Sequence, residues 1–196
     1  MRYDSEHKDR TRQRVLTEAA AAIRAQGPDG ISVASLMAKA GLTHGGFYAH
    51  FKSKDDLVAE AISHMFDETR QRFLAHTEDA DPAVALSRYI DMYVSARHRD
   101  MPEHGCPLPA LSGDLARMSA AARKRFANGV ESMTRGIARR LKDLNEPAPE
   151  RLAASIVAEM VGAVALSRAV DDTAQSDRIL KTSRDALKAR IGRKAR

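Results

Sequence analysis

Apolar residues recur at three- and four-residue spacing along nearly the whole chain. No run of alternating apolar and polar residues persists long enough to make a strand. The long segments are filled with Ala, Leu, Arg, Lys and Glu, which lose least on entering a helix. An all-α fold is therefore predicted, and the breakers divide it into nine helices.

The first helix is expected from about Asp9 to Gln26, with Val15, Ala19, Ala22 and Ile23 as its apolar stripe and Gly27-Pro28-Asp29-Gly30 as its stop. Ser32 can cap a short helix to about Ala40 that turns Leu36 and Met37 inward, and Gly41 ends it. Thr43 can cap a third short helix reaching about His50. Ser53-Lys54-Asp55-Asp56 has the form of a capping box and opens a fourth, long helix to about His76. Asp81-Pro82 starts the next, which fades near His98. Pro102, Pro107 and Pro109 make 100–109 a loop, with a short helix near Ala110–Met118. Ser119 opens a long helix to about Leu144, Asn145–Pro149 breaks the chain, and two helices follow at about 150–170 and 176–191. The architecture has two parts: an N-terminal three-helix domain, residues 1–55, and a larger helical domain, residues 56–196. The boundary lies in the fourth helix, so the parts share a rigid element.

Composition narrows the class. With 43% hydrophobic and 30% charged residues the chain reads as an ordinary globular protein. Its apolar stretches are read as too short to cross a bilayer, and its polar start fits no signal peptide, so a cytoplasmic protein with no membrane partner is expected. The lone Cys106 excludes an intrachain disulfide and any multi-cysteine metal site. Residues 1–54 carry nine Lys/Arg against five Asp/Glu, whereas 55–174 are net acidic and 175–196 are strongly basic. A basic head fits a polyanion, although a basic tail can equally serve solubility.

The informative stretch is 32–54, SVASLMAKAGLTHGGFYAHFKSK. Two short helices flank the turn Gly41-Leu42-Thr43, which is helix-turn-helix geometry, with the second helix placed to enter a DNA major groove. That second helix is about two turns long and carries Gly45 and Gly46, each costing roughly 1 kcal/mol against alanine. Glycine there removes side chains and lets backbone approach a phosphate or base edge. Thr43, His44, Tyr48 and His50 surround it as neutral donors, while Phe47 and Phe51 are expected to anchor the segment inward. Lys54, Lys8, Arg10, Arg12 and Lys52 are candidates for phosphates, contacts that position without specifying sequence. Helix pairs joined by a glycine turn also occur in helical proteins that bind no DNA, so spacing alone leaves both readings open.

From about Thr11 to Ala61 the chain resembles the tetracycline-repressor (TetR/AcrR-type) family. The resemblance rests on 32–42, SVASLMAKAGL, and above all on 46–57, GFYAHFKSKDDL. It implies that Tyr48 and His50 touch DNA phosphate or bases, that Lys54 meets a phosphate, and that Ser32, Thr43, His44 and Gly45 line the groove. It further implies a homodimeric, ligand-responsive regulator, usually a repressor, that binds double-stranded palindromic operator DNA and is released by a small-molecule inducer. No cofactor is implied.

In the second part, residues 150–170 carry two apolar stripes, suited to a helix packed on its own subunit and on a partner at once. Ile156, Met160 and Val164, with Leu180 and Leu187 of the last helix, are the expected dimer residues; a buried core helix in a monomer is the alternative. Tyr89, Met92, Tyr93, Met133 and Met160 are pocket candidates, since methionine adapts to varied ligands, though it serves equally as plain core. Cys106 joins them. Arg97, His98 and Arg99 lie close by in sequence and can make it a reactive thiolate, with an inert thiol as the alternative. A helical enzyme is the rival class, but no nucleotide loop, nucleophile elbow or histidine pair of metal-ligand spacing supports it.

Overall fold

A computed structural model describes residues 2–78 and 81–192. Among them are nine α-helices: α1 (Arg2–Gln26), α2 (Val33–Lys39), α3 (Lys54–Thr77), α4 (Pro82–Tyr93), α5 (Ala96–Asp100), α6 (Pro107–Leu111), α7 (Ala120–Asp143), α8 (Pro149–Ala169) and α9 (Thr173–Gly192). Three 3-10 helices, His44–Ala49, Pro102–His104 and Leu115–Arg117, complete the regular structure of the described residues, which contain no strand. The basic end of the chain, 193–196, lies outside the described residues.

The helix ends follow side-chain chemistry. Gly27 and Gly41 adopt φ of 75° and 70°, the left-handed conformation that closes α1 and α2. After α2 the amide of Leu42 reaches the Met37 carbonyl (2.8 Å) and that of Gly41 reaches the Ala38 carbonyl (2.9 Å), a Schellman closure. Asp81 caps α4 by accepting from the amides of Ala83 and Val84. Ser53 caps α3 through the Asp56 amide, and Asp56 in return accepts from the Lys52 amide, one residue before the cap.

The elements differ from the sequence expectations in several places. The first helix starts at Arg2, not Asp9. The helix expected to fade near His98 stops at Tyr93; Val94 leaves helical geometry, and Ser95 caps a separate α5 through the His98 amide. The helix near 110–118 is two pieces, because Pro107 opens α6 early and the chain then retightens into a 3-10 turn at Leu115. The last helix begins at Thr173, since Asp172 accepts from the amides of Ala174 and Gln175.

Cα packing resolves two compact units interleaved in sequence. One comprises residues 1–67 and 102–128, the other 68–101 and 129–196. In the first, α1 buries Val15, Leu16, Ala19, Ala20 and Ile23, α2 buries Leu36 and Met37, and α3 buries Leu57, Ala61, Ile62 and Met65. Phe66 meets Phe126 of α7 edge to face at 5.6 Å. Arg24, buried at the end of α1, donates to the Glu103 carbonyl.

The second unit is built on α8 against α9, with α4 against α9 and α5 against α8. An aromatic file runs Phe73–Tyr89–Tyr93–His98 at centroid spacings of 4.8, 5.9 and 4.6 Å. Gly136 of α7 lies close against this file: a Cβ there would stand 3.2 Å from Phe73 Cε1, so the ring would have to give by a few tenths of an ångström. The α8–α9 bend is held by buried serines, Ser176 Oγ donating to the Ser167 carbonyl and accepting from Arg99. Arg99 also grips Asp100 and Asp177, which raises its own pKa and lowers that of Asp100.

Helix α8 corrects one expectation. At 21 residues and mean hydropathy 1.5 it is long and apolar enough, by length and composition, to cross a membrane. Its richness in Ala, Val and Met has another use here, since Ala153, Ile156, Val157, Met160, Ala163 and Val164 are buried within the unit.

Candidate nucleic-acid interface

The 32–54 region is built on α1. Arg14 donates to the Ala40 carbonyl at 2.7 Å, satisfying the C-terminus of α2 from outside, and lies 3.3 Å from where a Gly41 Cβ would be. Arg12, expected at a phosphate, instead pairs with Glu60 of α3 and lies over the Phe51 ring at 5.0 Å. It is a fastener of the fold. Phe47 and Phe51, each 2% exposed, stack at 5.6 Å and anchor the segment as their four-residue spacing predicts.

The helix expected at 43–50 is the six-residue 3-10 helix His44–Ala49. Thr43 occupies its N-cap position but makes no side-chain cap bond. Two adjacent glycines weaken the α-helical drive of this short segment, which takes the tighter turn. Its one buried residue is Phe47.

All seven sequence candidates lie in this region. Ser32 caps α2 through the Ser35 amide and is exposed, as are Thr43, His44 and Gly45. Tyr48 is 70% exposed, a large aromatic ring with no core to cover it. Lys54 is half-buried and makes one long bond (3.4 Å) to the Asp29 carbonyl, leaving ammonium protons for another acceptor. His50 is half-buried with Nδ1 closed off; burial, then Lys8 and Arg12, push its pKa below the ordinary imidazole value. Lys8, Arg10 and Lys52 are exposed.

The glycines divide. A Cβ on Gly46 would make ordinary contacts at 3.7 Å with Met37 and Thr43. A Cβ on Gly45 would meet nothing within 4 Å among the described residues, and its φ lies outside the left-handed range. Nothing in the fold asks for glycine there.

The remaining candidates fall elsewhere. Tyr89, Tyr93, Met133 and Met160 are buried in the second unit and Met92 is half-buried, whereas Cys106 is buried in the first. Sequence proximity gave Cys106 its cationic neighbours, but Arg99 is engaged by Asp100 and Asp177, and Cys106 serves as the N-cap residue of α6. A polar cleft of about 270 Å³ in the second unit is lined by Arg99, Asp100, Ser167, Arg168, Asp171 and Ser176, none of them pocket candidates. The five expected dimer residues, Ile156, Met160, Val164, Leu180 and Leu187, are at most 3% exposed within the protomer itself. They belong to the core of the protomer. The open side of α8 carries Ala154, Ala158, Val161, Gly162, Ala165 and Leu166, the last 60% exposed. Sequence reasoning also passed over Arg14, Phe73 and Gly136; no local pattern marks an arginine that caps a distant helix or a glycine that admits a distant ring.

A family model described as bacterial regulatory proteins of the tetR family matches residues 15–61, and one for the C-terminal domain of LmrA/YxaF-like transcriptional regulators matches residues 82–182. The chain is 23% identical to the HTH-type transcriptional repressor DhaR of Mycobacterium sp. (strain GP1) over 160 residues, 78% of this chain and 80% of that one. In fold it is similar to a TetR transcriptional regulator from Chloroflexus aurantiacus (TM-score 0.80, 24% identity, 95% and 96% of the two chains). It is likewise similar to reduced E. coli NemR (TM-score 0.79, 18% identity, 90% and 94%). Together the two family models span most of the sequence, and the chain belongs to the tetR family of bacterial transcription regulators.

Proposed function

We propose that this regulator is a cytoplasmic, homodimeric repressor that binds a palindromic operator through residues 1–55 and is released when a small molecule enters its 56–196 portion. One observation carries the DNA-binding half: Tyr48, His44 and Gly45 stand exposed on a segment pinned from behind by Phe47 and Phe51. A stacked aromatic pair fixes the register, so the outward groups are held in place before any partner arrives, which lowers the ordering cost of binding. Tyr48 and His50 would meet phosphate or base edges, Lys54 a phosphate, and Ser32 and Thr43 the groove wall. Gly45 would let the backbone itself close on the duplex.

Two such segments must lie roughly 34–36 Å apart to enter successive major grooves. The open face of α8 supplies a surface for the pairing. Gly162 sits in that face, where a Cβ would meet nothing within 4 Å among the described residues. A mid-helix glycine costs roughly 1 kcal/mol against alanine, and a second copy's α8 crossing at that point would give the cost a use. Helix α3 runs from the reading segment into the second part and would act as the lever between inducer and DNA. The file of half-buried Phe73 with buried Tyr89 and Tyr93, together with buried Met133 and Met160, would offer apolar ground for an inducer.

The test is fluorescence anisotropy with a duplex carrying the inverted repeat nearest the gene, titrated with salt. The reading expects two chains per repeat and an affinity that falls steeply as salt rises. Binding that ignores both sequence and salt would refute it.

A further inference from the structure

We infer that His50 meets DNA as a neutral donor of fixed direction, its proton on Nε2, and that it takes up no second proton when a phosphate arrives. The inference rests on the reading of 43–54 as the operator-binding face and names how one residue of that face works.

Nδ1 of His50 is shut off from solvent and has no hydrogen-bond partner among the described residues. A neutral imidazole carries one N–H and one bare lone pair; the imidazolium carries two N–H groups. Placing the lone pair in the closed position wastes an acceptor. Placing an N–H there wastes a donor, and in the cation it also buries part of a full charge with nothing to receive it, the costlier arrangement. The proton therefore belongs on Nε2, the nitrogen open to an outside partner.

The surroundings oppose a second proton as well. Burial of the ring disfavours the charge most, and Lys8 and Arg12 of α1 add to it. On α3 the carboxylate of Glu60 is taken by Arg12. Asp56 accepts from the Lys52 amide. The other flank of the ring is Phe51, at a centroid distance of 6.4 Å. Phosphate would attract an imidazolium, but the second N–H would have to form on the closed side, where no acceptor waits. His50 then supplies direction, and the salt-dependent attraction falls to the lysines and arginines.

Long-range ¹H–¹⁵N spectra of the full labelled chain without DNA test this, with the His50 signals assigned by their loss in His50→Gln. The expected pattern at neutral pH is a protonated Nε2 and a bare Nδ1, with a titration midpoint below the ordinary value of about 6.5. A bare Nε2, or a midpoint at or above that value, overturns the inference. Operator affinity gives a second arm. Gln places an amide N–H near the Nε2 position and Asn near Nδ1. His50→Gln should weaken binding by about threefold, and His50→Asn by a further tenfold or so, the size of one lost hydrogen bond to a charged acceptor. Equal losses in the two variants would overturn the choice of Nε2. If the parent chain shows no salt-dependent operator binding, the operator reading fails, while the spectra of the free chain still decide the tautomer.

Discussion

The 3-10 segment His44–Ala49 and helix α8 handle hydrophobicity in opposite ways. The first has six residues and buries one of them; the second has 21 and buries eight. The first would hardly form alone and is held by its own Phe47 stacked on Phe51, with Arg14 closing the helix before it. The second is apolar on nearly every side. Yet each carries a glycine, Gly45 or Gly162, whose missing Cβ would touch nothing in its own surroundings. Gly136 shows the other case, a glycine whose Cβ would press on the Phe73 ring beside it. A glycine with no internal reason, on an exposed face, points to a surface shaped for something outside the chain. On the function proposed above, that partner would be a duplex at the short segment and a second copy at α8.

The largest effect should come from breaking α8 pairing. Leu166→Glu combined with Gly162→Leu should leave a folded monomer by analytical ultracentrifugation and weaken operator binding by about a hundredfold or more, since two linked heads bind far better than one. A dimer of unchanged mass would detach α8 from the comparison. Next is Tyr48→Ala, expected to cost about 1–3 kcal/mol of operator affinity with the dimer intact. Lys54→Ala should weaken binding across all sequences and lower the salt slope by about one.

Gly45→Ala sharpens the contrast. It should leave the melting temperature unchanged or raise it slightly, because the methyl enters open space, while operator affinity falls. A drop in melting temperature with unaltered affinity would mean that the glycine serves the fold after all. The smallest effect is in pH. The folded chain binds the His50 proton less tightly than the unfolded chain does. Stability from this group is therefore complete above pH of about 6.5 and declines as pH falls from there through the lowered folded value. Chemical denaturation of the parent and of His50→Gln between mildly acid and neutral pH should show a steeper slope in the parent than in the variant.

Much of the fold was legible because its punctuation is local. Gly27, Gly41, Ser53, Asp81 and Ser119 act within four residues of themselves, and each ends or opens a helix where the sequence places it. The exposed candidates at 43–54 were legible for a related reason, since Phe47 and Phe51 fix which side faces in. What depends on distant partners was not legible. Arg12 has the composition of a phosphate ligand, and only the approach of Glu60 and Phe51 makes it a fastener. The two apolar stripes of α8 were both visible, but both are largely buried within the unit, so Ile156, Met160 and Val164, expected at a partner, belong to its core.

Hydrogen–deuterium exchange of the full chain, with and without saturating operator duplex, tests the central claim most directly. The account predicts that amides between Thr43 and Lys54 slow most, together with those at the start of α2, while the outer face of α8 is protected equally in both states. Slowing that spares 43–54 and gathers elsewhere on the chain would contradict it.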